Sequence, residues 1–134
     1  MSIDKEKFLV TLKLVVSPQT CADPDHWSKE NPLWGHCAVV ALLVQDQFGG
    51  TLVRGSLEAT KYSHLRSHYW NKLPDGKEID FTSSQYPDIS IEDLHGEERS
   101  RERVLLYPDT VRRYMELKEK FEQNLETPPT PFHS

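Results

Sequence analysis

The sequence predicts an α+β fold in which a central helix packs on a mostly antiparallel sheet of about four strands. Three observations carry this. A nearly all-apolar run, His36-Cys37-Ala38-Val39-Val40-Ala41-Leu42-Leu43-Val44-Gln45-Asp46-Gln47-Phe48, closes on Gly49-Gly50, as a buried helix with a glycine stop does. Short β-rich segments follow, two of them joined by Pro74-Asp75-Gly76, which is hairpin chemistry. A long amphipathic stretch then begins at Pro108-Asp109, with proline where a first helical turn accepts it.

Taken in order, residues 4–17 carry Phe8, Leu9, Leu12, Val15 and Val16 at helical spacing, with Asp4 as N-cap. The same stretch also alternates at Phe8, Val10, Leu12, Leu14 and Val16, so a strand is the second reading. Residues 18–33 hold Pro18, Pro24 and Pro32 and read as a long loop. The apolar run gives the central helix near 36–48, although its valine pair leaves a buried strand open. Strands are expected at Thr51–Leu57, Ser67–Leu73, Lys77–Thr82 and Arg103–Tyr107. A helix to about Leu125 shows an apolar face of Val111, Tyr114, Met115, Leu117 and Phe121. Residues 1–126 thus form one α+β domain, and 127–134, with Pro128, Pro129 and Pro131, a C-terminal tail.

Charge narrows the function. The chain has 134 residues, with 16 Lys and Arg against 21 Asp and Glu, a net charge of −5. That balance disfavours nucleic acid and anionic membranes as partners. The basic run Arg99-Ser100-Arg101-Glu102-Arg103 is interrupted by Glu102 and preceded by Glu97 and Glu98, which reads as a solvated segment. No apolar run has the length of a membrane span, and the N-terminus lacks the pattern of a secretory signal. A cytoplasmic protein is expected. Its two cysteines, Cys21 and Cys37, form neither a disulfide framework nor a zinc knuckle.

The hairpin carries the chemistry. A three-residue Pro-Asp-Gly loop pairs Leu73 with Lys77, Lys72 with Glu78, and Trp70 with Asp80. His68, Trp70, Asp80 and Thr82 then share one face, while Tyr69, Asn71, Leu73, Ile79 and Phe81 share the other. His68 and Asp80 become diagonal neighbours. The central helix is expected on that His68/Asp80 face. Cys37 opens the helix, where unpaired N–H groups and the dipole favour an anion. Nucleophile, base and orienter are the three parts of acyl transfer, here Cys37, His68 and Asp80. Asn31, six residues before Cys37, offers an amide to an oxyanion, against a plainer role in turning the chain before Pro32. Trp27, Trp34 and Trp70 are candidate pocket walls, against simple packing onto the core.

Several stretches resemble the YunG-like family of small uncharacterised bacterial proteins. They are Asn31-Pro32-Leu33-Trp34-Gly35-His36-Cys37-Ala38-Val39, Val44-Gln45-Asp46, Gly49-Gly50, Ser67-His68-Tyr69-Trp70-Asn71, Asp75-Gly76, Ile79-Asp80-Phe81-Thr82, Arg103-Val104-Leu105 and Arg113-Tyr114. One departure is His36, in place of the Gln before the Cys in the family pattern. More distantly, the order Cys-helix, His-strand, Asp-strand is similar to papain-like and transglutaminase-like cysteine enzymes. That resemblance implies a papain-like fold, and it places Asn31 where papain-like proteases carry a Gln.

The leading reading is a cysteine-dependent hydrolase or acyltransferase acting without a cofactor on a peptide, amide or small-molecule acyl substrate. The alternatives are a catalytically silent interaction module that keeps the fold and, third, a metal-binding protein using His64, His68 and His36. For the third, the sequence does not assemble the three or four fixed ligands that zinc prefers.

Overall fold

The computed structural model describes residues 4–85 and 88–126; the expected tail, 127–134, lies outside them. Helix α1 spans Lys5–Val15 and α2 spans Cys37–Phe48. Strands β1, Thr51–Ser56, β2, Ser67–Lys72, β3, Glu78–Ile79, and β4, Glu97–Arg99, form an antiparallel sheet in the order β3-β2-β1-β4. A short helix α3, Arg101–Val104, precedes the long α4, Pro108–Glu126. The α+β class and the four-stranded antiparallel sheet are as the sequence predicts.

Local chemistry explains most boundaries. Asp4 Oδ1 accepts from Lys7 N–H at 2.7 Å and starts α1, which makes residues 5–15 helical rather than strand. Gly49, at φ +79°, ends α2, its N–H donating to the Gln45 carbonyl at 2.9 Å. The Pro74-Asp75-Gly76 turn is closed by Gly76 N–H to the Leu73 carbonyl and Leu73 N–H to the Lys77 carbonyl, 2.9 and 2.8 Å. The register that follows pairs Lys72 with Glu78 and Asn71 with Ile79, the pairing expected from a three-residue loop.

Three expectations are corrected. The fourth strand is Glu97–Arg99, not 103–107. Ser100 Oγ accepts from Arg103 N–H at 3.2 Å, and this cap turns residues 101–104 into helix. The strand itself pairs through its backbone at the sheet edge, where its charged side chains stay solvated, so no hydrophobic pattern announces it. Strand β3 stops at Ile79 instead of reaching Thr82, because the Asp80 carboxylate takes the backbone N–H of Thr82 in a tight turn.

The third correction concerns α2, which packs on the face opposite to the one expected. Buried Val39, Val40, Ala41, Leu42, Leu43 and Val44 join Leu52 and Leu73 in the main core, with Tyr69, Ile79 and Phe81 against it. Asn71 is buried there, and its Nδ2 donates to the Ala41 carbonyl at 2.9 Å. This face carries the larger core, so the largely apolar helix buries more surface on it. Helices α1 and α4 complete the core. Phe8 meets Phe48, Phe81 and Phe121 with ring centroids 5.4, 4.8 and 5.1 Å apart.

The other sheet face holds a smaller core of Val53, Leu57, Trp70 and Leu94. Trp70 is 1% exposed. The fit leaves no room beside its ring: a Cβ on Gly96 would lie 2.4 Å from Trp70 Cζ2. Among the described residues, no helix is long and apolar enough to cross a membrane.

Candidate active site

Cys37 is the first residue of α2 and is half-buried. The chain reaches it through Gly35, at φ +74°, where a Cβ would stand 2.5 Å from Cys21 Sγ. Only glycine accepts both the left-handed backbone and that close approach. His36 follows as the N-cap residue, yet gives no side-chain cap. Its ring is spent elsewhere: Nδ1 bonds to the Trp34 carbonyl at 2.9 Å and Nε2 to Thr20 Oγ1 at 2.7 Å. A carbonyl only accepts, so Nδ1 carries the proton and Nε2 accepts from the Thr20 hydroxyl. Burial holds this imidazole down to about 4 and keeps it neutral.

His68 lies on β2, 1% exposed, with its ring stacked at 5.7 Å on that of Trp70. Nε2 is 2.6 Å from Asp80 Oδ2, and the Cys37 thiol lies close enough to the ring to favour its charged form. Burial opposes a charged ring. The bond to Asp80 and the nearness of Cys37 outweigh it and push His68 up to about 9. Asp80 is itself held: its Oδ1 accepts from both the backbone N–H and the hydroxyl of Thr82, each at 3.0 Å.

The structure therefore brings Cys37, His68 and Asp80 together, although α2 lies against the opposite sheet face. Its first residue, Cys37, lies near His68. The remaining expected residues take other positions. Asn31 Nδ2 donates to the Gln85 carbonyl at 3.4 Å, and its backbone N–H bonds to Ser28 Oγ at 3.2 Å, so it shapes the entering loop. Trp27 Nε1 donates to the Pro32 carbonyl at 2.9 Å. Trp34 Nε1 donates to Asp23 Oδ2 at 3.1 Å, and its ring meets Tyr62 edge-on at 6.0 Å. Trp70 is a core residue, and its Nε1 donates to Glu78 Oε1 at 2.7 Å. Cys21 is buried, which pushes its thiol up, and it donates to the Trp34 carbonyl at 3.0 Å. Among the described residues, no group of three or more His, Cys, Asp or Glu side chains is placed to hold a metal ion.

Sequence reasoning missed Gln85. It is 1% exposed, and its Oε1 accepts from Gly35 N–H at 3.0 Å. Fifty residues separate the two partners, and the polar context Thr82-Ser83-Ser84-Gln85 carries no periodic signal. Thr82 was legible as a residue on the His68/Asp80 face, but its grip on Asp80 was not.

A sequence model of the family described as "YunG protein" matches residues 4–126. The chain belongs to this YunG family. A relative from Bacillus subtilis (strain 168), described as "Uncharacterized protein YunG", is 35% identical over 100 residues, covering 74% of this chain and 77% of its own. No solved structure matches significantly. Within this YunG-family chain, Cys37, His68, Asp80, Thr82 and Gln85 all fall inside the matched segment.

Proposed function

We propose that the chain is a cysteine-dependent hydrolase or acyltransferase in which Cys37 is the nucleophile, His68 the base and Asp80 the group that orients and stabilises the imidazolium. One observation carries the reading: a buried imidazole meets a carboxylate at 2.6 Å on one nitrogen, with a thiol at a helix start near the same ring. A histidine pushed up to about 9 keeps, at neutral pH, the proton it takes from Cys37. With the Cys37 proton already on His68, the sulfur attacks a carbonyl carbon, and His68 then gives the proton to the leaving group. The leaving group departs, and the thioester passes its acyl group to water or an amine. Asp80 stays ionised and holds the ring, with Thr82 fixing its second oxygen. The order Cys on a helix, His on a strand and Asp after it is similar to that of papain-like and transglutaminase-like enzymes, which supports acyl transfer as the reaction class. The substrate class is a peptide, amide or small acyl compound.

Labelling the native chain with a broad thiol electrophile, followed by peptide mass spectrometry, tests the reading. Modification at Cys37 that is lost in the Cys37→Ser variant and strongly slowed in His68→Ala is expected. If Cys37 is modified only after denaturation, the reading gives way to that of a silent interaction module.

A further inference from the structure

Gln85 stands on a closed circuit of contacts around the candidate nucleophile. Its Oε1 takes the N–H of Gly35, two residues before Cys37, at 3.0 Å. Its backbone N–H donates to the Thr82 carbonyl at 3.0 Å. Thr82 holds Asp80, Asp80 holds His68, and His68 meets Cys37. Gly35 N–H requires an acceptor, so the amide must present its oxygen there. Nε2 is thereby committed to the other direction, and among the described residues it is buried with no hydrogen-bond partner. A buried amide donor left unpaired is costly and rare.

A second set of donors belongs to the same segment. The N-cap residue His36 gives α2 no side-chain cap, so the first-turn N–H groups, that of Cys37 among them, have no acceptor from it. Two kinds of donor thus belong to the segment that carries the thiol, one from the helix start and one from a side chain tied to Gly35.

We propose that Gln85 Nε2, together with the backbone N–H of Cys37, receives the carbonyl oxygen of an acyl group being transferred to Cys37. The inference rests on Cys37 acting as nucleophile. In the step concerned, with the thiol proton already on His68, a C–S bond forms and the carbonyl π pair moves onto oxygen. That charge is met by the two donors. The pair then returns, expelling the leaving group. The oxygen belongs to a group bonded to Sγ, so it meets Nε2 from the sulfur side without a separate opening to solvent. Asn31, whose amide is spent on the Gln85 carbonyl, supports the segment and leaves this task to Gln85.

Two reagents separate the proposal from the nucleophile reading. Acetylation by p-nitrophenyl acetate forms the C–S bond, breaks the C–O bond to p-nitrophenolate and passes through an oxyanion. Alkylation by iodoacetamide displaces iodide at a saturated carbon and forms none. In the full chain, Gln85→Glu keeps an oxygen for Gly35 and removes the donor. Acetylation of Cys37 should fall about 100-fold relative to alkylation. An unchanged ratio, or a native Cys37 that alkylates but is not acetylated, overturns the proposal while the nucleophile stands. A native Cys37 that does neither overturns both. If Gln85→Glu does not fold by circular dichroism, the native protein decides. Acetaldehyde, which adds to the thiol as a thiohemiacetal, should shift the Gln85 side-chain amide resonances and slow their exchange. Unmoved resonances on a protein whose Cys37 has reacted overturn the proposal.

Discussion

His68 Nε2 and Asp80 Oδ2 meet at 2.6 Å although the β2–β3 ladder ends one residue short of Asp80. The hairpin sets the register, and the Thr82 turn, rather than strand pairing, holds the carboxylate against the ring. The contact is nearly sealed from water, with side-chain exposures of 1% and 7%, so it is screened little by salt.

Asp80→Asn should lower the His68 pKa from about 9 toward the ordinary range, because an amide cannot stabilise the imidazolium. The rate of Cys37 acylation should fall about tenfold or more while the fold is kept. A titration of the His68 ring followed by NMR, beside the acylation rate, checks both. An unshifted titration removes Asp80 from the site.

The two thiols should separate under iodoacetamide. Cys21 is 3% exposed and pushed up by burial, so it should label only on unfolding. Cys37 should label in the native state, and more slowly in His68→Ala. Equal labelling of both thiols in the native protein would contradict the structure.

Stability should peak near pH 6.5, bounded by two histidines of opposite sign. His36 is held down to about 4. Its contribution is present above the unfolded value of 6.5 and is lost as pH falls toward 4, on the order of 3 kcal/mol. His68 is pushed up to about 9. Its contribution is present below 6.5 and is lost as pH rises through about 9. Urea unfolding across pH should show both limbs. His36→Gln should flatten the acid limb and leave the alkaline one.

Asn71→Ala should destabilise the fold by about 2 kcal/mol. The variant empties a site 2% exposed and removes the donor to the Ala41 carbonyl between β2 and α2. Denaturant melts give the value, and a loss well below 1 kcal/mol would mean that the helix–sheet contact carries less than its burial implies.

Local chemistry was legible in the sequence. Asp4 capped the helix it was expected to cap, Gly49 stopped the apolar helix, and Pro74-Asp75-Gly76 set a register that aligned His68 toward Asp80. These features depend on neighbours a few residues away, where spacing and turn preference suffice. The edge strand 97–99 was not legible, because backbone pairing at an exposed edge asks nothing of its side chains. Tertiary structure alone decided which sheet face α2 covers, and how Thr82 holds Asp80 and Gln85 holds Gly35. Both faces of β2 carry a large buried ring or amide, Trp70 on one and Asn71 on the other. Alternation divides residues between faces but does not say which face meets the helix. That choice is made by the total apolar area each face can remove from water, a sum over residues far apart in the chain. The bond from Gly35 to Gln85 across fifty positions exists only once that sum has been settled.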